Sequence, residues 1–144
     1  MTTRVLVAED NEDHLFLTVR ALRDSDGVVL EVEAVRDGAE ALDFLHQRGG
    51  FADRRLPHLI LLDLKMPKVS GLEVLAEIKS VEELRSIPVV VLTSSDRPED
   101  IEDAYRLGSN SYVTKPVGLG GLRSALAGIK EYWVSLAALP EPRA

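Results

Sequence analysis

Residues 56–71 read LPHLILLDLKMPKVSG. The apolar run Leu59–Leu62 is continuous and rich in branched residues, as expected for a central parallel strand covered by helices on both faces. It ends directly on a carboxylate, Asp63, and the chain then passes through Met66-Pro67 to Gly71. A charge placed where a buried strand gives out must be solvated, paired or put to use.

Working outward, Val5–Ala8 and Val89–Leu92 have the same character. Val28–Val35 differs, because Leu30, Val32 and Ala34 alternate with Glu31 and Glu33, which predicts a strand near a sheet edge with one wetter face. Ser111–Thr114 is a fifth, weaker strand. Helical segments lie between them. Asp37-Gly-Ala-Glu40, Ser70-Gly-Leu-Glu73 and Asp96-Arg-Pro-Glu99 have capping-box spacing, and Pro98 suits a first turn. Gly49 and Gly108 suit helix C-terminal ends. The first helix, from about Asn11, carries Leu15, Val19 and Leu22 on one face; the last carries Leu122, Leu126, Ile129, Trp133 and Leu136. Five strand–helix pairs predict an α/β fold, a (βα)5 open doubly wound parallel sheet. There is no internal repeat and no linker, so residues 1–138 are expected to form one domain with an extended last helix. Residues 139–144 are expected to be a C-terminal tail.

Composition narrows the function. With 144 residues, one core is all the chain can build. A balance of 17 basic against 24 acidic residues, net −7, disfavours unspecific nucleic-acid binding. No cysteine is present, so neither a disulfide nor a thiolate metal site is available, which fits the cytoplasm. The N-terminal MTTRVLVAED has too short an apolar run for a signal peptide or membrane span.

In open α/β sheets, ligands bind at the carboxyl ends of the strands. Those ends carry Glu9-Asp10, Asp63, Thr93-Ser94 and Lys115. Taken singly, each has a plainer reading: Asp63 as a turn residue, Asp10 as a helix cap, Thr93 as a loop hydroxyl, Lys115 as a surface lysine. Complementary chemistry at four strand ends favours a common site. Clustered carboxylates repel one another unless a cation joins them, and an all-oxygen donor set suits Mg²⁺. Asp63 could then be a nucleophile toward a phosphoryl group, since carboxylates form aspartyl phosphates. Lys115 would take one phosphoryl oxygen and Thr93 another.

The segments VLVAED, LLDLKMPKVSG, VVVLTSSD and SYVTKP resemble the receiver domains of two-component response regulators, and the likeness spans Arg4 to Leu126. It implies a flavodoxin-like strand order 2-1-3-4-5. It also implies phosphorylation of Asp63 by a sensor histidine kinase, with Mg²⁺ held by Asp10, Asp63 and the main-chain carbonyl of Lys65, and by Glu9 through water. Lys115 would bind the phosphoryl group, Thr93 and Tyr112 would form a switch pair, and the Lys115-Pro116 peptide would be cis. Such a protein is no enzyme beyond its own phosphorylation and dephosphorylation. The ending LAGIKEYWVSLAALPEP resembles single-domain regulators paired with phytochrome-type kinases, in which a homodimer is common. Trp133 and Leu136 would then form an interface; the other reading is that they cover the core. With no output domain expected after Ala144, output would run through protein contact or phosphorelay. Lys65, two residues past Asp63, departs from the family in placing an ammonium beside the attacking water.

Three alternatives make different demands on the sequence. An aspartate phosphatase would want a second acid where Lys65 stands. A flavodoxin-like binder would need a first loop less acidic than AEDNED. A receiver-like interaction module that is not phosphorylated is the remaining alternative. His14, His46 and His58 lack paired metal spacing and are read as incidental.

Overall fold

The computed structural model describes residues 2–24 and 30–142. The expected strand positions Val28 and Val29, and the tail residues Arg143 and Ala144, lie outside the described residues. Five parallel strands, β1 (Thr3–Ala8), β2 (Leu30–Val35), β3 (Leu59–Leu62), β4 (Val89–Thr93) and β5 (Ser111–Thr114), form one sheet in the order β2-β1-β3-β4-β5. Helices α1 (Glu12–Arg23), α2 (Gly38–Leu45), α3 (Gly71–Ser80), α4 (Pro98–Arg106) and α5 (Leu119–Lys130) alternate with them. The winding reverses at β1, which pairs with β2 on one side and β3 on the other.

Alternation along each strand gives two apolar layers, one on each face of the sheet, where the sequence length predicts a single core. Leu6, Ala8, Ile60, Leu62, Val89 and Val91 face Val74, Leu75 and Ile78 of α3 and Ala41, Phe44 and Leu45 of α2. Val5, Val7, Leu59, Leu61, Val90 and Leu92 face Leu15 and Leu22 of α1 and Leu122, Leu126 and Ile129 of α5. All of β3 is buried, as its unbroken apolar run requires. β2 is an edge strand, with Glu31 and Glu33 exposed; Ala34 is exposed as well, and Val35 on the opposite face is buried.

Caps on Asn11, Asp37 and Ser70 receive the N–H groups of His14, Glu40 and Glu73. The expected cap on Asp96 does not form. Arg97 precedes α4 without a side-chain cap; Pro98 at the first turn removes one donor needing a partner, and the Arg97 N–H itself donates to Ser95 Oγ. Gly108 closes α4 at φ 107°, whereas the left-handed residue after α2 is Gln47 at φ 55°; Gly49 instead opens a 3-10 turn, Gly49–Phe51.

The last helix also departs from expectation. Beyond Lys130 it widens into a π-helical segment, Glu131–Leu136, which rotates the side chains off the 3.6-residue stripe. Trp133 still packs against the α1–α5 core, but Leu136 is 71% exposed. The chain then returns along the sheet to the starts of β1 and β3. There Glu141 meets Nε2 of the buried His58, whose Nδ1 accepts the Arg4 backbone N–H at 2.9 Å.

Candidate functional site

The carboxyl ends of β1, β3, β4 and β5 converge. Glu9 and Asp10 follow β1, and one carboxylate oxygen each from Glu9, Asp10 and Asp63 lie within 4.8 Å of one another. Glu9 and Asp63 are buried and Asp10 is exposed. Lys115 comes in from the end of β5, its side chain 5% exposed, with Nζ donating to Glu9 Oε1 and, at 3.0 Å, to Asp63 Oδ2. One ammonium against three carboxylates leaves excess negative charge, and Asp10 makes no ion pair among the described residues.

The backbone fixes these positions. Asp63 N–H donates to Ala8 C=O, and Glu9 N–H to Val35 C=O, so both acids continue ladders begun in β1. Asp63 Oδ1 accepts the Lys65 N–H at 3.1 Å, and Glu9 Oε2 accepts the Asn11 N–H at 3.1 Å. Gly71 lets α3 start hard against this loop: a Cβ there would lie 2.2 Å from the Asp63 carbonyl oxygen. Gly38 does the same for the β2–α2 turn against Val69. Lys68, in the loop between Pro67 and α3, has φ 70°.

Electrostatics separates the two buried acids. Burial, then the Asp63 charge, pushes the Glu9 carboxyl up to about 7. Asp63 is also penalised by burial, but the Lys115 ammonium and the Lys65 N–H outweigh that and hold it below the ordinary carboxylate range. Asp63 is therefore anionic in neutral solution, with Glu9 the group that gains a proton first.

Thr93, at the end of β4, is fully buried, and its Oγ1 lies near the Asp63 carboxylate without meeting any partner at full hydrogen-bond geometry. An orphaned hydroxyl beside an acidic cluster suits a ligand oxygen. Tyr112 in β5 donates its OH to the Ser95 carbonyl at 2.8 Å, directly behind the β4 loop. The Lys115-Pro116 peptide is trans, contrary to expectation. The Lys115 N–H bonds Thr93 C=O at 2.7 Å, which extends the β4–β5 ladder and delivers the side chain inward without the isomer. Lys65 is exposed, with its N–H committed to Asp63.

The site thus gathers Glu9, Asp10, Asp63, Thr93 and Lys115, as the strand-end argument expects. Trp133 and Leu136 lie apart, on the last helix. Sequence reasoning passed over His14, whose Nδ1 lies 3.0 Å from Lys115 Nζ. The signal was its place in the first turn of α1, the helix that directly follows Glu9-Asp10. Three carboxylates with excess negative charge have the donor set of a divalent-cation site.

The response regulator receiver domain family matches residues 5–127. The probable methanogenesis regulatory protein FilR2 of Methanothrix harundinacea is 45% identical over 96% of this chain and 88% of its own length. The phosphorylated cyanobacterial phytochrome response regulator RcpA superimposes with a TM-score of 0.95 at 45% identity, over 98% of this chain and 100% of its own. The Mn²⁺-bound form of response regulator Rcp1, a protein of Synechocystis sp., gives 0.93 at 40% identity, over 96% and 99%. The sheet order, the acidic cluster at its switch point and the extent of these matches agree: the chain belongs to the response regulator receiver domain family.

Proposed function

We propose that this protein accepts a phosphoryl group on Asp63 from a sensor histidine kinase and signals by protein contact or phosphorelay. One observation carries the reading: the Asp63 carboxylate is buried, anionic, and clamped between an ammonium and a backbone N–H beside two further acids. An Asp63 oxygen would form the new O–P bond while the P–N bond of the donor phosphohistidine breaks, returning the imidazole to the kinase. Lys115 would take one phosphoryl oxygen, and the unpartnered Thr93 hydroxyl another. Asp10 and Asp63, with the Lys65 carbonyl, would hold Mg²⁺. Glu9, with both oxygens already engaged, fits a role through water. The ion would supply charge screening for the incoming anion. Movement of Thr93 toward the phosphoryl group would free the space beside Ser95 into which Tyr112 turns.

RcpA and Rcp1 support a phytochrome-type kinase as partner. Exposed Leu136 and half-exposed Tyr132, stacked edge-on against Trp133, support a homodimer through the last helix. The working unit is residues 1–138, acting as a cytoplasmic signalling domain; among the described residues no helix is long and apolar enough to cross a membrane.

The test is the intact mass after incubation with acetyl phosphate, with and without Mg²⁺, beside Asp63→Asn. One phosphoryl addition that requires both Mg²⁺ and Asp63 supports the reading. Equal addition to the folded Asp63→Asn variant refutes it. No addition, together with no response to beryllofluoride, favours an interaction module that is not phosphorylated.

A further inference from the structure

Lys115 is a buried ammonium with three N–H donors, and the structure offers it three acceptors on three separate elements. Glu9 Oε1 follows β1, Asp63 Oδ2 follows β3 at 3.0 Å, and His14 Nδ1 lies in the first turn of α1, also at 3.0 Å. The first two are the acids of the site. The third is a neutral ring that no part of the chemistry above uses.

We propose that His14 is a positioning residue: its bare Nδ1 accepts the third N–H of Lys115 and fixes where that ammonium stands between Glu9 and Asp63. The inference rests on the receiver reading for its consequence, and on geometry alone for the contact. An ammonium can only donate, so the ring nitrogen facing it must accept and the ring proton must sit on Nε2. Burial, followed by the Lys115 charge, holds the imidazole below the usual histidine range, in keeping with a neutral acceptor.

The consequence follows from what Lys115 has to do. When a phosphoryl group arrives, the ammonium must give one N–H to it without leaving the site. Glu9 and Asp63 compete for the same donors, so an ammonium held by them alone sinks onto the carboxylates. A neutral acceptor on α1 draws it outward at no cost in added negative charge. Asparagine at this position could place Oδ1 where Nδ1 stands, whereas leucine offers similar bulk and no acceptor. The backbone supports such precision, because the His14 N–H is tied to the Asn11 cap at 3.0 Å.

The test uses the full chain. Long-range ¹H–¹⁵N spectra of the metal-free protein should show His14 as the Nε2–H tautomer, with an Nδ1 shift that moves in Lys115→Met. Acetyl phosphate uptake at fixed Mg²⁺ should slow roughly five- to tenfold in His14→Leu, the loss expected for one charge-assisted hydrogen bond, and stay within about twofold of wild type in His14→Asn. In a Lys115→Met background, His14→Leu should change nothing further. An Nδ1–H tautomer, equal rates for the leucine and asparagine variants, or an undiminished effect without Lys115 would each overturn the proposal. If wild type neither takes up a phosphoryl group nor responds to beryllofluoride, the phosphorylation reading fails, and the spectra still decide whether His14 holds Lys115.

Discussion

Lys115 Nζ stands 3.0 Å from Asp63 Oδ2, with both side chains about nineteen-twentieths buried. The pair joins the ends of β5 and β3 across β4, so the lysine acts at a distance of two strands. Removing one partner of a buried pair leaves an uncompensated charge. Lys115→Met should therefore lower the stability of metal-free protein by about 2–4 kcal/mol at pH 8. Mg²⁺ should restore part of that loss, since it replaces the missing positive charge. Urea denaturation with and without Mg²⁺ measures both; equal stability of the variant and wild type would show that the pair is not needed for charge balance.

The pH dependence has a defined sign. Glu9 in the folded protein holds its proton up to about 7, above its ordinary 4.5. Between those values the folded state binds more protons than the unfolded one, so metal-free stability falls as pH rises and then levels off above about 7. Divalent-metal binding favours the ionised cluster and displaces that proton. The rise in Tm on adding Mg²⁺ should thus be larger at pH 7.5 than at pH 5.5, and the difference should shrink in Glu9→Gln. Thermal melts at the two pH values check this.

Gly71 and Gly120 are both helical glycines, yet they should respond oppositely to alanine. A Cβ at Gly71 meets backbone at 2.2 Å, whereas nothing lies within 4 Å of one at Gly120. Gly71→Ala should cost about 2–3 kcal/mol and disturb the Asp63 loop. Gly120→Ala should be stabilising by roughly 0.5–1 kcal/mol. Urea midpoints of the two variants give the comparison.

His58 and Glu141 make one contact of unequal weight. His58→Leu leaves the buried Arg4 N–H facing an aliphatic side chain with no acceptor and should cost about 2–3 kcal/mol. Glu141→Ala, at a carboxylate 58% exposed, should cost less than about 1 kcal/mol. Chemical denaturation distinguishes them.

Leu136→Asp should weaken any homodimer and leave the monomer's stability within about 0.5 kcal/mol, because the side chain is exposed. Sedimentation equilibrium read beside a thermal melt separates the two effects.

Much of this was legible in the sequence because it was written in local patterns. β3 is a bare apolar run, and it is buried from end to end. Asp37 and Ser70 cap their helices because an oxygen three residues ahead of an N–H is a local fact, whereas α1 is capped by Asn11 and not by Asp10. The site was legible because parallel strands end on the same side, so Glu9, Asp10, Asp63, Thr93 and Lys115 must meet. What failed depends on competition between partners. Asp96 had the right spacing, but α4 begins one residue later, with Arg97 in the cap position and Pro98 in the first turn. Leu136 fell off the apolar stripe because the helix changed its pitch, which no 3.6-residue count foresees. His14 looked incidental since its partner lies 101 residues away. The peptide before Pro116 is trans, and residue identity before a proline leaves the isomer open.

The two edges of the sheet are unlike in a way that bears on self-association. β2 presents Glu31 and Glu33 outward, so two copies meeting strand to strand along it would oppose like charges. β5, reading Ser-Tyr-Val-Thr, carries none. Repulsion thus guards one border of the molecule against endless sheet growth and leaves the border that carries Tyr112 open to traffic.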